Sequence, residues 1–137
     1  MGLHHVDLGG VDVAIEQVQQ AYAGYVYGDS TSGQKALYGV GMTGIPVINV
    51  NNNCSTGSTA LWLARQAVAS GAAECVLAFG FEQMERGALA AKWTDRPSPF
   101  ADFLDVADKH MEPSEAPLAP RLFGGAGQAY IDQYGID

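Results

Sequence analysis

Ile45-Pro46-Val47-Ile48-Asn49-Val50-Asn51-Asn52-Asn53-Cys54-Ser55-Thr56-Gly57-Ser58 is the stretch whose reading decides the fold. Its front half is rich in β-branched residues and predicts a strand over Val47–Val50. The run Ala60-Leu61-Trp62-Leu63-Ala64-Arg65-Gln66-Ala67-Val68-Ala69-Ser70 favours helix, so a helix is expected from about Ser55 to Ser70, with Gly71 as its stop. A second strand is expected over Glu74–Phe81. Its Cys75-Val76-Leu77-Ala78-Phe79 is nearly uninterrupted apolar sequence, the pattern of a central parallel strand. Strand, crossover helix and strand together predict a parallel βαβ unit buried on both faces, and hence an α/β fold.

Outward from this unit the signals weaken. Residues 1–12 read as a flexible N-terminal lead-in, with His4 and His5 beside Gly9-Gly10; a metal site and an exposed tail are the two readings of that histidine pair. A helical turn around Ile15–Gln20 leads to an expected strand at Ala21–Tyr27. A turn cluster at Gly28–Gly33 follows, then a short helix at Gln34–Val40. The texture changes after Arg86, because Pro97, Pro99, Pro113, Pro117 and Pro120 all fall within Lys92–Arg121. An irregular excursion is expected there, with one helical segment near Phe100–Lys109. A helix should then follow Gly124-Gly125-Ala126-Gly127 and run through Tyr134. The organisation expected is a lead-in at 1–12, an α/β core at 13–86 and a covering region at 87–137.

Composition narrows the function classes. The chain has 137 residues and a formal net charge of −8, a length that suits a real hydrophobic core. Its seven basic residues are scattered, so no cluster exists to neutralise nucleic-acid phosphates. No apolar stretch approaches the roughly 18–20 residues of a membrane span, and none near the N-terminus reads as a secretory signal. The two cysteines, Cys54 and Cys75, do not make a disulfide framework, so a reducing compartment is expected. Cys75 reads as a small buried hydrophobe.

Cys54 has three readings from its residues alone: a buried structural cysteine, a metal ligand or a nucleophile. The two cysteines lack the paired spacing of a zinc site, which argues against the second. A thiol where a strand hands over to a helix meets unpaired backbone N–H groups and the positive end of the helix dipole, both of which favour the thiolate. Three successive asparagines offer amides that can order backbone or ligand groups. Ser55, Thr56, Gly57 and Ser58 keep the approach small. Such a site suits acyl transfer to sulfur, with a helix-end N–H holding the developing oxyanion. A nucleophile also needs a base. His110, beside Lys109 and Met111, is the histidine away from the N-terminal edge; a solvated surface histidine is its plainer reading.

The run Gly41–Leu61, with Gly24-Tyr25-Val26-Tyr27-Gly28-Asp29-Ser30-Thr31-Ser32-Gly33-Gln34 and Ala78-Phe79-Gly80-Phe81-Glu82-Gln83-Met84, closely resembles the thiolase superfamily. Ala119-Pro120-Arg121-Leu122-Phe123-Gly124 and Tyr134-Gly135 add weaker matches. Within the superfamily, the sequence is similar to sterol-carrier-protein X-type thiolases and related bacterial lipid-transfer proteins of the acetyl-CoA acyltransferase type. The resemblance runs from about Tyr22 onward.

That resemblance implies a partial thiolase-like N-terminal half, a mostly parallel βαβ core followed by the start of a substrate-covering loop domain. Cys54 falls on the acyl-accepting nucleophile, and its backbone N–H on one oxyanion donor. The strand Val47–Asn51 falls on the element that pairs across the thiolase dimer, so a homodimer or a complementing partner chain is implied. Coenzyme A enters as a substrate, with no covalently bound cofactor and no metal. The reaction implied is thiolytic cleavage, or the reverse Claisen condensation, of a 3-oxoacyl-CoA with a fatty or sterol side chain. The family's histidine base, carried in a Gly-His-Pro motif, and its second catalytic residue have no match in these residues, so the isolated chain is expected not to turn over. The alternative function is a non-catalytic lipid- or acyl-CoA-binding assembly module. Family members occur in bacterial cytoplasm and in peroxisomes, which sets the expected localisation.

Overall fold

The computed structural model describes residues 5–7, 12–41, 44–112 and 114–136. The chain divides into two compact units, residues 1–88 and 89–137. The first begins with two short strands, β1 (His5–Asp7) and β2 (Asp12–Ala14), paired antiparallel. The lead-in expected to be loose therefore carries regular structure around residues that lie outside the description, His4 among them. The turn expected over Ile15–Gln20 contracts to a 3-10 turn at Ile15–Gln17, because Gln20 already belongs to the next strand.

The sheet that follows is parallel and three-stranded. Strand β3 (Gln20–Gly24) lies between β4 (Val47–Val50) and β5 (Val76–Gly80), giving the order β4-β3-β5. Helix α1 (Ser32–Tyr38) connects β3 to β4, and helix α2 (Thr56–Ala69) connects β4 to β5. The expected βαβ unit is thus present but its strands are not neighbours, since α2 carries the chain across β3. The apolar Cys75–Phe79 run is also not central: β5 is an edge strand, and Val76–Phe79 are only half-buried. The central strand is the less hydrophobic Gln20–Gly24, whose Ala21 and Ala23 are fully buried.

Small residues at the centre have a packing reason. Right-handed crossovers that step first one way and then back carry α1 and α2 over opposite faces of the sheet. On one face Ala21 joins Ile15, Val18 and Leu37 in the core, with Val47, Cys75, Leu77 and Phe79 packed against them. Cys75 is half-buried there, close to its expected role. Helix α2 buries Ala60, Ala64 and Ala67, spaced i, i+4, i+7, as a single stripe. Its larger side chains, Leu61, Trp62 and Val68, are exposed. The helix ends as expected: Gly71 adopts φ +74°, and the Gly71 and Ala72 N–H groups bond back to Val68 and Ala67.

The strands end in a crowded corner. Gly24 and Gly80 are in register, and a Cβ on Gly80 would come within 2.8 Å of the Gly24 carbonyl oxygen. The strand expected to reach Tyr27 stops at Gly24 because the next residues find other partners. Tyr25 stacks on Phe81 with ring centroids 4.9 Å apart. The Glu82 carboxylate accepts the N–H groups of Val26 and Tyr27 at 3.0 and 2.8 Å.

The second unit contains α3 (Ala101–His110) and α4 (Leu118–Tyr134). The helix expected to follow the Gly124–Gly127 run instead passes through it. Pro120 sits in the first turn of α4, where its missing N–H costs nothing. Gly125 lies where a Cβ would strike the Met111 side chain, so this glycine admits the segment after α3. Arg121 and Asp108 join the two helices at 2.6 Å. Before α3, Arg96 lies over the Trp93 ring and holds the Asp95 carboxyl below the ordinary carboxylate range through a direct hydrogen bond. No helix of the described residues is long and apolar enough to cross a membrane.

Two outcomes follow from these contacts. Gly33→Ala would drive a methyl group to 2.5 Å from the buried Ala23 Cβ; it is expected to cost about 1–3 kcal/mol in urea unfolding, and a wild-type midpoint would contradict this packing. Glu82→Ala should raise amide hydrogen exchange at Val26 and Tyr27 by about tenfold, leaving α2 unchanged.

Candidate functional site

The site is the turn between β4 and α2, and its three asparagines have separate jobs. The Asn51 side-chain oxygen accepts the Asn53 N–H at 3.1 Å, an Asx turn. The Asn52 amide donates to Thr59 Oγ1 at 2.8 Å, tying the turn to the second turn of the helix. Asn53 itself adopts φ +48°, a left-handed conformation that asparagine tolerates better than most residues. Cys54 follows directly and is exposed. Within this chain the cysteine is therefore not a buried core residue.

Cys54 precedes the N-cap Ser55, so it stands just outside the first turn of α2. The capping groups here behave unusually. Ser55 Oγ donates back to the Asn52 carbonyl at 2.8 Å and does not cap the helix. Thr56 Oγ1 accepts the Asn52 N–H at 2.8 Å and donates to the Asn53 carbonyl at 2.6 Å. Neither hydroxyl accepts a helix-end N–H, the usual duty of such residues. Among the described residues, the N–H groups of Gly57 and Ser58 meet no protein acceptor within hydrogen-bond distance. Donors of a helix end, close in sequence to a thiol, are thus left open.

Behind the turn, Asn49 on β4 anchors α1. Its side-chain oxygen accepts the Gly33 N–H at 3.0 Å, and its amide nitrogen donates to Gln34 Oε1 at 2.8 Å. Gln34 Nε2 in turn donates to the Val47 carbonyl at 3.3 Å. Tyr25, Val26, Gly28, Ser30, Asn49 and Asn51 line a shallow cavity of about 190 Å³ that opens beside the turn.

His110 is exposed in the last turn of α3, in the second unit. Among the described residues no group of His, Cys, Asp and Glu has the disposition of a metal site. Sequence reading treated Ser55–Ser58 only as small residues and so missed Thr56; the signal was a hydroxyl two residues past a cysteine, in a segment whose strand and helix were already expected. Glu82 carried no signal of its own, because its partners lie 55 and 56 residues earlier.

Comparison with known proteins identifies the family. The family model of the thiolase N-terminal domain matches residues 5–114. Sterol carrier protein 2 of Oryctolagus cuniculus is 54% identical over 129 residues, covering 93% of this chain and 24% of that protein. Non-specific lipid-transfer protein-like 2 of Caenorhabditis elegans is 40% identical over 121 residues, 86% of this chain and 29% of the relative. Acetyl-CoA acetyltransferase of Methanocaldococcus jannaschii is 27% identical over 140 residues, 98% of this chain and 33% of the relative. The chain therefore spans about a quarter to a third of the length of these relatives. With most of its residues matched to that one domain, including the whole parallel sheet and the cysteine turn, this chain belongs to the thiolase family.

Proposed function

We propose that this chain carries the acyl-accepting part of a thiolase-type acyltransferase, with Cys54 as the nucleophile. The observation that carries the reading is an exposed thiol on the turn from a parallel strand into α2, inside the matched domain. The substrate class is a 3-oxoacyl-CoA with a fatty or sterol side chain. A base takes the thiol proton, and sulfur attacks the 3-keto carbon. The bond between C2 and C3 then breaks, and C2 takes up a proton as acetyl-CoA leaves. CoA thiol next attacks the acyl-cysteine, releasing the shortened acyl-CoA and restoring Cys54. The Cys54 N–H is one proposed donor to the oxyanion. The base and the second catalytic residue are expected from the family's other half, so turnover belongs to the whole protein.

A second reading is supported by two relatives whose names are sterol carrier protein and lipid-transfer protein. In it the chain binds lipid or acyl-CoA as an assembly module and Cys54 does no chemistry.

Mass spectrometry after prolonged treatment with acetoacetyl-CoA separates the two. Slow acetylation of Cys54, lost in Cys54→Ala and absent from Cys75, is the expected result. Acyl-CoA binding by equilibrium dialysis with no adduct on Cys54 would leave the second reading. We also propose that a second copy pairs along β4, an edge strand whose Ile48 is 37% exposed. Ile48→Lys should then weaken self-association in sedimentation velocity by about tenfold; an unchanged association would move the interface elsewhere.

A further inference from the structure

We propose that Thr56 is the positioning residue that sets the presentation of the Cys54 thiol. The inference rests on the acyl-acceptor reading of Cys54 and adds to it a residue that touches no substrate.

Thr56 is the one buried polar residue among those described, with 6% of its surface exposed. A threonine in the first turn of a helix ordinarily lies at the surface. Here the side chain is turned inward, and each of its two ends has a task. The hydroxyl accepts the Asn52 N–H at 2.8 Å and donates to the Asn53 carbonyl at 2.6 Å. Those two groups flank the backbone of Asn53, the residue held at φ +48°. One oxygen atom thus closes both sides of the left-handed step that immediately precedes Cys54. Without it the Asn52 N–H would lose its partner and the Asn53 carbonyl would keep only the Thr56 N–H at 3.1 Å, so the left-handed step would be held less firmly. The methyl group packs against the end of the central strand, 3.0 Å from the point a Cβ on Gly24 would occupy, while the hydroxyl does the bracing. The residue that braces the cysteine's turn thus lies, by side chain and backbone both, against the end of β3.

Attack on a thioester-bearing substrate needs a fixed approach, whereas alkylation by a small reagent needs little beyond access. The two reactions at one thiol therefore separate positioning from simple exposure. Thr56→Val keeps shape and removes the hydroxyl; Thr56→Ser keeps the hydroxyl and removes the methyl.

The test measures three quantities on the 137-residue chain and both variants: Cys54 acetylation by acetoacetyl-CoA, Cys54 alkylation by iodoacetamide, and Asn52 amide exchange by NMR. Thr56→Val is expected to slow acetylation about tenfold and to raise Asn52 exchange about tenfold, while alkylation changes less than about threefold. Thr56→Ser should restore acetylation to within about threefold of wild type. Wild-type acetylation and Asn52 protection in Thr56→Val would overturn the proposal. Should Thr56→Val not fold, Thr56→Ser decides alone: a folded serine variant that loses acetylation about tenfold overturns it, and one that keeps acetylation supports it. If the wild-type chain is not acetylated at all, the acyl-acceptor reading fails on its own, and Asn52 exchange in Thr56→Val still decides whether Thr56 holds the turn.

Discussion

The close approach of backbones at Gly24 is the constraint on which the first unit depends. Its carbonyl lies 2.8 Å from where Gly80 would carry a Cβ, and its own missing Cβ leaves room for the Thr56 methyl at 3.0 Å. Three elements from distant parts of the sequence converge on one residue without a side chain. The central strand can then meet β5 on its flank and the first turn of α2 across its face. One ladder bond remains beyond this point, from the Tyr25 N–H to the Val50 carbonyl at 3.3 Å. The Tyr25 ring stacks on Phe81, and Glu82 gathers the two amides that follow. The corner thus ends the sheet and supports the turn that bears Cys54.

Much of this was legible in the sequence because it is encoded locally. β-Branched residues at Val47–Val50, a helix-favouring run ending at Gly71, and a turn cluster before α1 each act over a few residues. Strand order is encoded differently. Nothing within Cys75–Phe79 says that its neighbour is Gln20–Gly24, and uninterrupted hydrophobicity pointed to the centre when the centre was built of alanines. Alanine reads as helix-favouring, yet Ala21 and Ala23 serve as flat ground for α1 on one face of the sheet. The glycines of α4 misled for a related reason. Gly125 is a site of close packing against Met111, not a break in the helix.

At the site, the cysteine and the asparagines stood out by composition, and the roles of Asn51, Asn52 and Asn53 follow from short-range geometry. What remained hidden were groups whose meaning lies in the partner. Thr56 and Glu82 are ordinary residues until their acceptors and donors are known. Both act on backbone amides, and backbone amides carry no mark in a sequence. The family resemblance singled out Cys54; the structure adds what holds the surrounding turn in place.

One last feature concerns the outer margin of β4. Alternation along the strand turns the Val47 carbonyl away from β3, and Gln34 has already occupied it with its own amide. The chain therefore shields part of its exposed margin with an internal stand-in for a neighbouring strand. An incoming strand must evict that amide before it can bond there, trading one hydrogen bond for another of similar strength. Adhesion along this margin would be selective, since only a strand that also covers the apolar Ile48 gains by the exchange.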